Sequence, residues 1–554
     1  MEKTDSLWYK NAVFYELYVR GFYDSNGDGH GDLRGLMQKL DYLQELGVDC
    51  LWLLPIYPSP LKDDGYDIAD YYSIHPDYGS LDDFRALLEA AHARGIRIIM
   101  DLVLNHTSDQ HPWFQAARRR SPEQSEGGSD PASPYRDYYV WSDTDQKYRQ
   151  ARIIFVDTEK SNWTWDPVAG KYYWHRFYAC QPDLNYDNPA VRAEIFNILR
   201  FWLDLGVDGF RADAVPYLFE REDTDCENLP ETHAYLKQLR RFVDEHYPGR
   251  ILLCEANQWP QDVRSYFGSG DEFHLAFHFP LMPRIFMAMQ RADLTPIKWV
   301  LEQTPVIPDE CQWCTFLRNH DELSLEMVTE EERQGLWQAY APDPRMRLNL
   351  GIRRRLAPLF RDDRRKIELA YSLLFTLPGS PIIYYGDEIG MGDDLQLPDR
   401  NGVRTPMQWE DSPDAGFSTA DILYAPVLND RQYCPQRVNV AAQRADAGSL
   451  WHTLQKIIAI RKQYSALSCG NINWVDCGTS AVAVYQRACK GEQLLVINNL
   501  SAISQTVDCS LPPGITDGIR DIMTNQPANF TDGQLSLMLR PYEYRWLLLP
   551  MQKG

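Results

Sequence analysis

Eight short apolar runs punctuate the chain, at residues 12–19, 48–54 and 96–104, in a run ending at Asp213, and at 250–255, 272–279, 312–321 and 381–387. Stretches with apolar residues at helical spacing lie between several of them, at 36–46, 80–94, 189–205 and 231–246. The run Ile96-Arg-Ile-Ile-Met-Asp-Leu-Val-Leu104 has the β-branched density of a strand buried on both faces. Strand and helix in alternation predict parallel β/α units, and eight strands close a (β/α)8 TIM barrel. In that architecture chemistry gathers where the strands end. Among the carboxylates that end these runs are Asp213, Glu255 and Asp321.

The alternation is interrupted twice. Residues 105–183 are rich in Asp, Ser, Pro, Trp and Tyr, with short extended pieces expected at 151–155 and 172–177. So long an excursion is normally functional or a domain of its own. Residues 322–362 form a second, heavily charged loop. After a helix at 450–464 the pattern turns to short alternating runs at 481–485, 493–497 and 544–549, separated by turn-rich pieces. The expected organisation is α/β. A barrel in two parts, residues 1–104 and 184–465 with a loop subdomain at about 322–362, carries an inserted domain at 105–183 after its third strand and a C-terminal antiparallel β-sandwich domain at 466–554.

At 554 residues the chain exceeds what one core usually holds. Its net charge of −22 repels nucleic acid and anionic membrane surfaces, so neither is an expected partner and a neutral small molecule fits more easily. No window approaches the length of a membrane span, and Met1-Glu-Lys-Thr-Asp-Ser6 lacks the order of a signal peptide, which points to a cytoplasmic protein. Eleven cysteines in apolar surroundings read as buried free thiols rather than a disulfide framework. The one C-x-x-C, Cys311 to Cys314, has no second pair and is read as structural. No organic cofactor is expected, and a homo-oligomer is left open.

Singly, each strand-end acid could be a solvated loop carboxylate or a structural ion pair. Together, Asp101-x-x-x-Asn105-His106, Gly209-Phe-Arg211-x-Asp213, Glu255 and Asn319-His320-Asp321 resemble, in this order, the motifs of the α-amylase superfamily, glycoside hydrolase family 13. The resemblance implies retaining chemistry, which needs two carboxyl groups roughly 5–5.5 Å apart. Asp213 is then the nucleophile, Glu255 the general acid, and Asp321 the group that grips sugar hydroxyls. Arg211, two residues before Asp213 and so on the same side of the strand, is expected to keep it ionised. His106 and His320 supply neutral donors to hydroxyls.

The resemblance extends around the reacting sugar. In Asp63-Asp64-Gly65-Tyr66-Asp67 the tyrosine is expected under the ring, and Arg400 with Asp63 is expected to close the pocket at the non-reducing end. Phe177 and Gln181 flank it, with a plain core role open for Phe177. The loop Asp24-x-Asn26-Gly-Asp28-Gly29-His30-Gly-Asp32 places oxygen ligands at alternate positions, as loops for hard cations do, although Gly35 stands where an EF-hand would have glutamate. It resembles the family's calcium loop, with His30 giving its carbonyl, and a structural Ca²⁺ or Mg²⁺ competes there with an Asx-rich turn held by its own hydrogen bonds. By resemblance only, Asn105, Asp183, Glu220 and the carbonyls of Tyr217 and Leu218 form a second cation site.

Passages such as Asp157-Thr-Glu-Lys-Ser-Asn-Trp-Thr-Trp-Asp166 and Glu255-Ala-Asn-Gln-Trp-Pro260 resemble family members that rearrange maltose into trehalose. For that reaction Tyr217, Asn257, Glu322 and Glu326 would cap the second sugar, although the two glutamates could equally face solvent or pair with arginines near Arg353. An exo-acting α-glucosidase or oligo-1,6-glucosidase differs in letting water reach the intermediate. A non-catalytic sugar-binding barrel is disfavoured by the presence of all three acids. Ala212 and Cys254 depart from the commonest family pattern and are expected to point into packing.

Overall fold

The computed structural model describes residues 7–119, 133–511, 515, 518–528, 530–531 and 533–550. Eight strands, Phe14–Leu17, Cys50–Leu53, Arg97–Val103, Gly209–Asp213, Ile251–Cys254, Leu275–Phe277, Gln312–Phe316 and Ser380–Tyr384, close into a barrel. Each pairs in parallel with the next, and the eighth with the first, where Ile382 faces Phe14. Every residue of these strands except Arg97 is buried, which is why the runs read as almost unbroken apolar stretches. The fourth strand starts on Gly209 for a steric reason. A Cβ there would lie 2.3 Å from the carbonyl oxygen of Ile251, so the fourth and fifth strands could not approach.

Helices carry the chain back between strands. Leu81–Ala93 starts on a capping box formed by Ser80 and Asp83, and Pro189–Leu205 runs from an Asn188 cap to a left-handed Gly206. The helix expected at 36–46 is two, Leu33–Gln38 and Leu40–Leu46, because Lys39 leaves helical geometry.

After the third strand come a helix, Pro112–Ala117, and an antiparallel sheet of Trp141–Ser142, Lys171–Trp174 and Trp163–Asp166. Residues 151–155, expected to be extended, form no strand and instead bring Ile154 and Phe155 to the barrel mouth. The charged segment after the seventh strand is more ordered than a loop. Its helix, Glu330–Tyr340, is nucleated by a Thr329–Glu332 capping box and lies near a small sheet of Leu323–Ser324, Gly351–Ile352 and Arg347–Leu348.

At the C-terminal end, a five-stranded antiparallel sheet (Asn471–Trp474, Val482–Cys489, Glu492–Asn499, Tyr544–Leu548, Arg520–Asp521) packs on a three-stranded one (Gln505–Ser510, Gln534–Leu539, Phe530–Thr531). Their shared core includes Val484, Ile497, Val507 and Leu535, the arrangement of a sandwich. The thiols are not all buried as expected: Cys469 is exposed, and Cys180, Cys434, Cys477 and Cys489 are half-buried. Among the described residues no helix is long and apolar enough to cross a membrane.

Candidate active site

Asp213 is the last residue of the fourth strand, Glu255 follows the fifth, and Asp321 lies in the loop after the seventh. Side chains alternate along a strand, so Arg211 and Asp213 share the side facing the mouth. Ala212, between them, pairs in register with Cys254, and both are fully packed. Ala214 has φ 53°, a left-handed conformation that costs a non-glycine residue on the order of 1 kcal/mol. With the backbone turned this way, its N–H donates to Glu255 Oε2 at 3.2 Å.

Arg211 organises the acids. Its buried guanidinium meets Asp101 at 2.6 Å and Asp213 at 2.5 Å, and also pairs with Glu255. Asp101 further accepts from Trp52 Nε1 at 3.0 Å and from the Tyr66 hydroxyl at 3.1 Å. One cation thus serves three carboxylates, and burial outweighs it. Asp213 is pushed up to about 6 by burial against the pull of Arg211. Glu255 goes higher, to about 8, because burial is joined by repulsion from Asp213 and Asp321 while only Arg211 and the Ala214 N–H oppose it. Arg211 therefore keeps Asp213 charged at neutral pH less firmly than its position in the sequence suggests.

The resulting order suits the chemistry. Glu255 is a neutral acid and Asp213 a carboxylate at pH 7. Turnover that uses the pair is expected to be bell-shaped in pH, rising through about 6 as Asp213 deprotonates and falling through about 8 as Glu255 does. A pH profile of kcat/KM checks this.

Asp321 behaves differently. Burial opposes its ionisation, but the His320 ring at 3.2 Å and the guanidinium groups of Arg400 and Arg404 hold it well below the usual carboxylate range. Since burial also holds His320 neutral, the arginines carry that effect. Arg400 donates to Asp321 at 2.7 Å and to Asp63 at 2.6 Å, and Gln181 Nε2 supports the other oxygen of Asp63 at 2.9 Å. These bonds close one end of the site.

All three acids, with Asp63, Tyr66, His106, Phe177, Tyr217, Asn257, His320, Glu322, Glu326 and Arg400, line one cavity of about 130 Å³. Gln181 and Arg211 stand behind it, holding Asp63 and the acids in place. Tyr66 stacks on His320 with ring centroids 5.3 Å apart. Burial pushes His106 down to about 3, so its ring is neutral. His106 Nε2 and the Oδ1 atoms of Asn257 and Asn319 are buried without a hydrogen-bond partner. Such atoms are costly unless a ligand hydroxyl completes them.

Beside Glu326 and Tyr217 stands a residue that sequence reasoning missed. Arg152, from the inserted segment, meets Glu326 at 2.8 Å and Glu227 at 2.9 Å, and donates to the Tyr217 hydroxyl at 3.1 Å. Phe177 packs among the rings of His106, Phe155 and Tyr217. Asn257 donates to Ser324 at 2.8 Å, and Glu322 accepts from Asn349 at 3.1 Å. Neither glutamate pairs with Arg353, which donates to the carbonyls of Leu397 and Asp399. Also missed were Ile154, Phe155, Phe279, Asn319 and Ser324, all at the cavity. Asn319 stood in a quoted motif and Phe279 closed a strand run, but nothing periodic marked Arg152, Ile154 or Phe155.

The two candidate cation sets differ. In the first loop, Asp24 accepts from the N–H groups of Asn26, Gly27 and Gly29, Asn26 from Asp28, Asp28 from His30, and Asp32 from Ser25 and Gly35. The loop is held by its own hydrogen bonds, and among the described residues no three His, Cys, Asp or Glu groups converge as a metal cluster. The second set is another matter. Asn105 Oδ1, Asp183 Oδ2 and Glu220 Oε1 are all buried without a partner, near the turn that carries Tyr217 and Leu218. Burial pushes Asp183 up to about 8 and Glu220 well above the carboxylate range, with Asp183 adding repulsion. An oxygen-only donor set short of positive charge is what a hard divalent cation satisfies.

Comparison with known proteins agrees with this geometry. The model for Alpha amylase, catalytic domain, matches residues 16–340 and 352–470, and that for Maltogenic Amylase, C-terminal domain, matches residues 473–546. The chain is 57% identical over 517 residues to Trehalose synthase/amylase TreS of Mycobacterium tuberculosis (strain ATCC 25618 / H37Rv), covering 92% of this chain and 84% of that protein. It is 55% identical over 519 residues to Trehalose synthase of Pimelobacter sp. (strain R48), covering 91% and 89%. Among solved structures, the trehalulose synthase MutB from Pseudomonas mesoacidophila MX-45 superposes with a TM-score of 0.78 at 29% identity, covering 98% of this chain and 99% of that one. The closed parallel barrel, the three strand-end acids and the match across most of the chain place this protein in the α-amylase family, glycoside hydrolase family 13.

Proposed function

We propose that this enzyme is an isomerase that interconverts maltose and trehalose within a single closed pocket. The observation that carries the reading is one cavity flanked by two cross-ties, Arg400 to Asp63 and Arg152 to Glu326, around a charge-split pair of carboxyl groups. The high identity to two trehalose synthases supports it. A neutral disaccharide also suits a chain whose net charge is −22.

In this mechanism the non-reducing glucose of maltose sits against Tyr66, its hydroxyls held by His106, Asp321 and Arg400. Asp213 attacks the anomeric carbon while Glu255 protonates the departing oxygen, leaving a glucosyl ester on Asp213. The released glucose stays under the cap of Tyr217, Asn257, Glu322 and Glu326, and turns so that its own anomeric hydroxyl faces the ester. Glu255, now ionised, takes that proton as the hydroxyl attacks. Two inversions retain the configuration and give the α,α-1,1 linkage of trehalose. Holding the acceptor makes the return step intramolecular, with an effective concentration far above that of free glucose. Incubation with maltose followed by separation of products should give trehalose in excess of free glucose. Glucose alone would make the enzyme an α-glucosidase.

A Ca²⁺ or Mg²⁺ ion held by Asn105, Asp183 and Glu220, with the carbonyls of Tyr217 and Leu218, would neutralise the buried acids and tie the inserted segment to the loop after the fourth strand. The Asp24–Asp32 loop is a second candidate that shares the oxygen-only chemistry. Excess chelator should lower the melting temperature by several degrees, with recovery on adding Ca²⁺. An unchanged midpoint in protein shown by elemental analysis to be metal-free would remove both sites.

A further inference from the structure

We infer that Cys469 and Cys489 are a redox-modifiable pair, closing reversibly to a disulfide that ties the helix ahead of the C-terminal sandwich to that sandwich's first long strand. The helix Ser465–Cys469 ends beside the end of the strand Val482–Cys489, and the two sulfur atoms are 2.7 Å apart. That separation is ~0.7 Å longer than a disulfide bond of ~2.04 Å.

The fold itself sets this approach. Asn471 pairs with Ala488 at the start of an antiparallel ladder; continued by one residue this register sets Gly470 opposite Cys489, and Cys469 stands one residue beyond. The backbone is pinned on both sides: Glu492 accepts from Ser465 Oγ at 2.7 Å and from the Ala466 N–H at 3.1 Å, and Arg487 donates to the Gly470 carbonyl at 2.8 Å. Access is uneven, with Cys469 exposed and Cys489 half-buried. Burial and the bond to Cys469 both raise the Cys489 thiol, and Cys469, being exposed, is the sulfur an oxidant in solution meets first.

With hydrogen peroxide as oxidant, the Cys469 sulfur attacks one oxygen and the O–O bond breaks; the hydroxide released takes the proton given up by the thiol and leaves as water, and a sulfenic acid remains. The Cys489 sulfur then displaces the hydroxyl group, which departs as a second water, and the S–S bond forms. The pair loses two electrons and two protons, and peroxide is reduced to two waters. A dithiol reverses the step by exchange. Neither cysteine lines the cavity described above, so the inference stands apart from the proposed reaction.

The test uses the full chain, reduced, desalted, treated with hydrogen peroxide, blocked with iodoacetamide and digested with trypsin. Residues 463–487 joined to 488–490 are expected by mass spectrometry, and dithiothreitol should release them. Because Cys477 lies on the same fragment as Cys469, variants decide the partner. The link should vanish in Cys469→Ser and Cys489→Ser and persist in Cys477→Ser. Recovery of both Cys469 and Cys489 as alkylated thiols, oxidation of Cys469 to a sulfinic acid with Cys489 still alkylated, or a link that survives Cys469→Ser would each overturn the assignment.

Discussion

Asp213→Asn is expected to fold and to turn over maltose on the order of 10⁴-fold more slowly than the parent, or worse. The amide has nearly the shape of the carboxylate but cannot form the glucosyl ester, so the two-step route is lost rather than slowed. Folding should survive because Arg211 keeps Asp101 and Glu255 as partners. Losing the charge at residue 213 also removes one of the repulsions that raise Glu255, so its proton should come off at lower pH in the variant. Single-turnover kinetics beside a thermal unfolding curve separate the two effects. A loss of less than about a hundredfold, with an intact fold, would mean that another group carries the glucose.

Arg152→Ala should leave the first step largely intact and divert the second. Arg152 joins the inserted segment to Glu326 in the segment after the seventh strand, and it also holds the Tyr217 hydroxyl. Without it the cap loses its cross-tie. Glu227 is not left bare, since Arg176 still meets it at 2.8 Å, so the variant should fold. Water then reaches the ester more often and the retained glucose escapes more often. The ratio of free glucose to trehalose should rise by about tenfold, the change that roughly 1.4 kcal/mol of lost closure produces. Total consumption of maltose, measured alongside, should change far less.

Which parts of the protein the sequence discloses follows from how each part is built. The barrel strands are legible because both faces are covered, so each appears as an apolar run without polar gaps. Asp213, Glu255 and Asp321 are legible because strand ends fix where function falls in such a barrel. Segments held by tertiary contacts are not. Residues 151–155 have strand-like composition yet join no strand ladder, because Ile154 and Phe155 are placed by the mouth they line. Arg152 pairs with a glutamate 174 positions away, a contact that no local period announces. The helix Glu330–Tyr340 left a signal, Thr329 followed three residues later by Glu332, that the charge of the segment obscured. The pKa order of Asp213 and Glu255 depends on burial and on three carboxylates sharing Arg211, which only coordinates reveal.

The account rests on a glucose that never leaves the pocket between two steps. The direct measurement is to convert unlabelled maltose in the presence of ¹³C-labelled free glucose and to follow label into trehalose by mass spectrometry. The enzyme should produce trehalose that is almost entirely unlabelled from the first turnovers, with label entering faster in Arg152→Ala. Trehalose labelled in proportion to the glucose in solution would show that the acceptor exchanges freely, contradicting the closed-pocket mechanism.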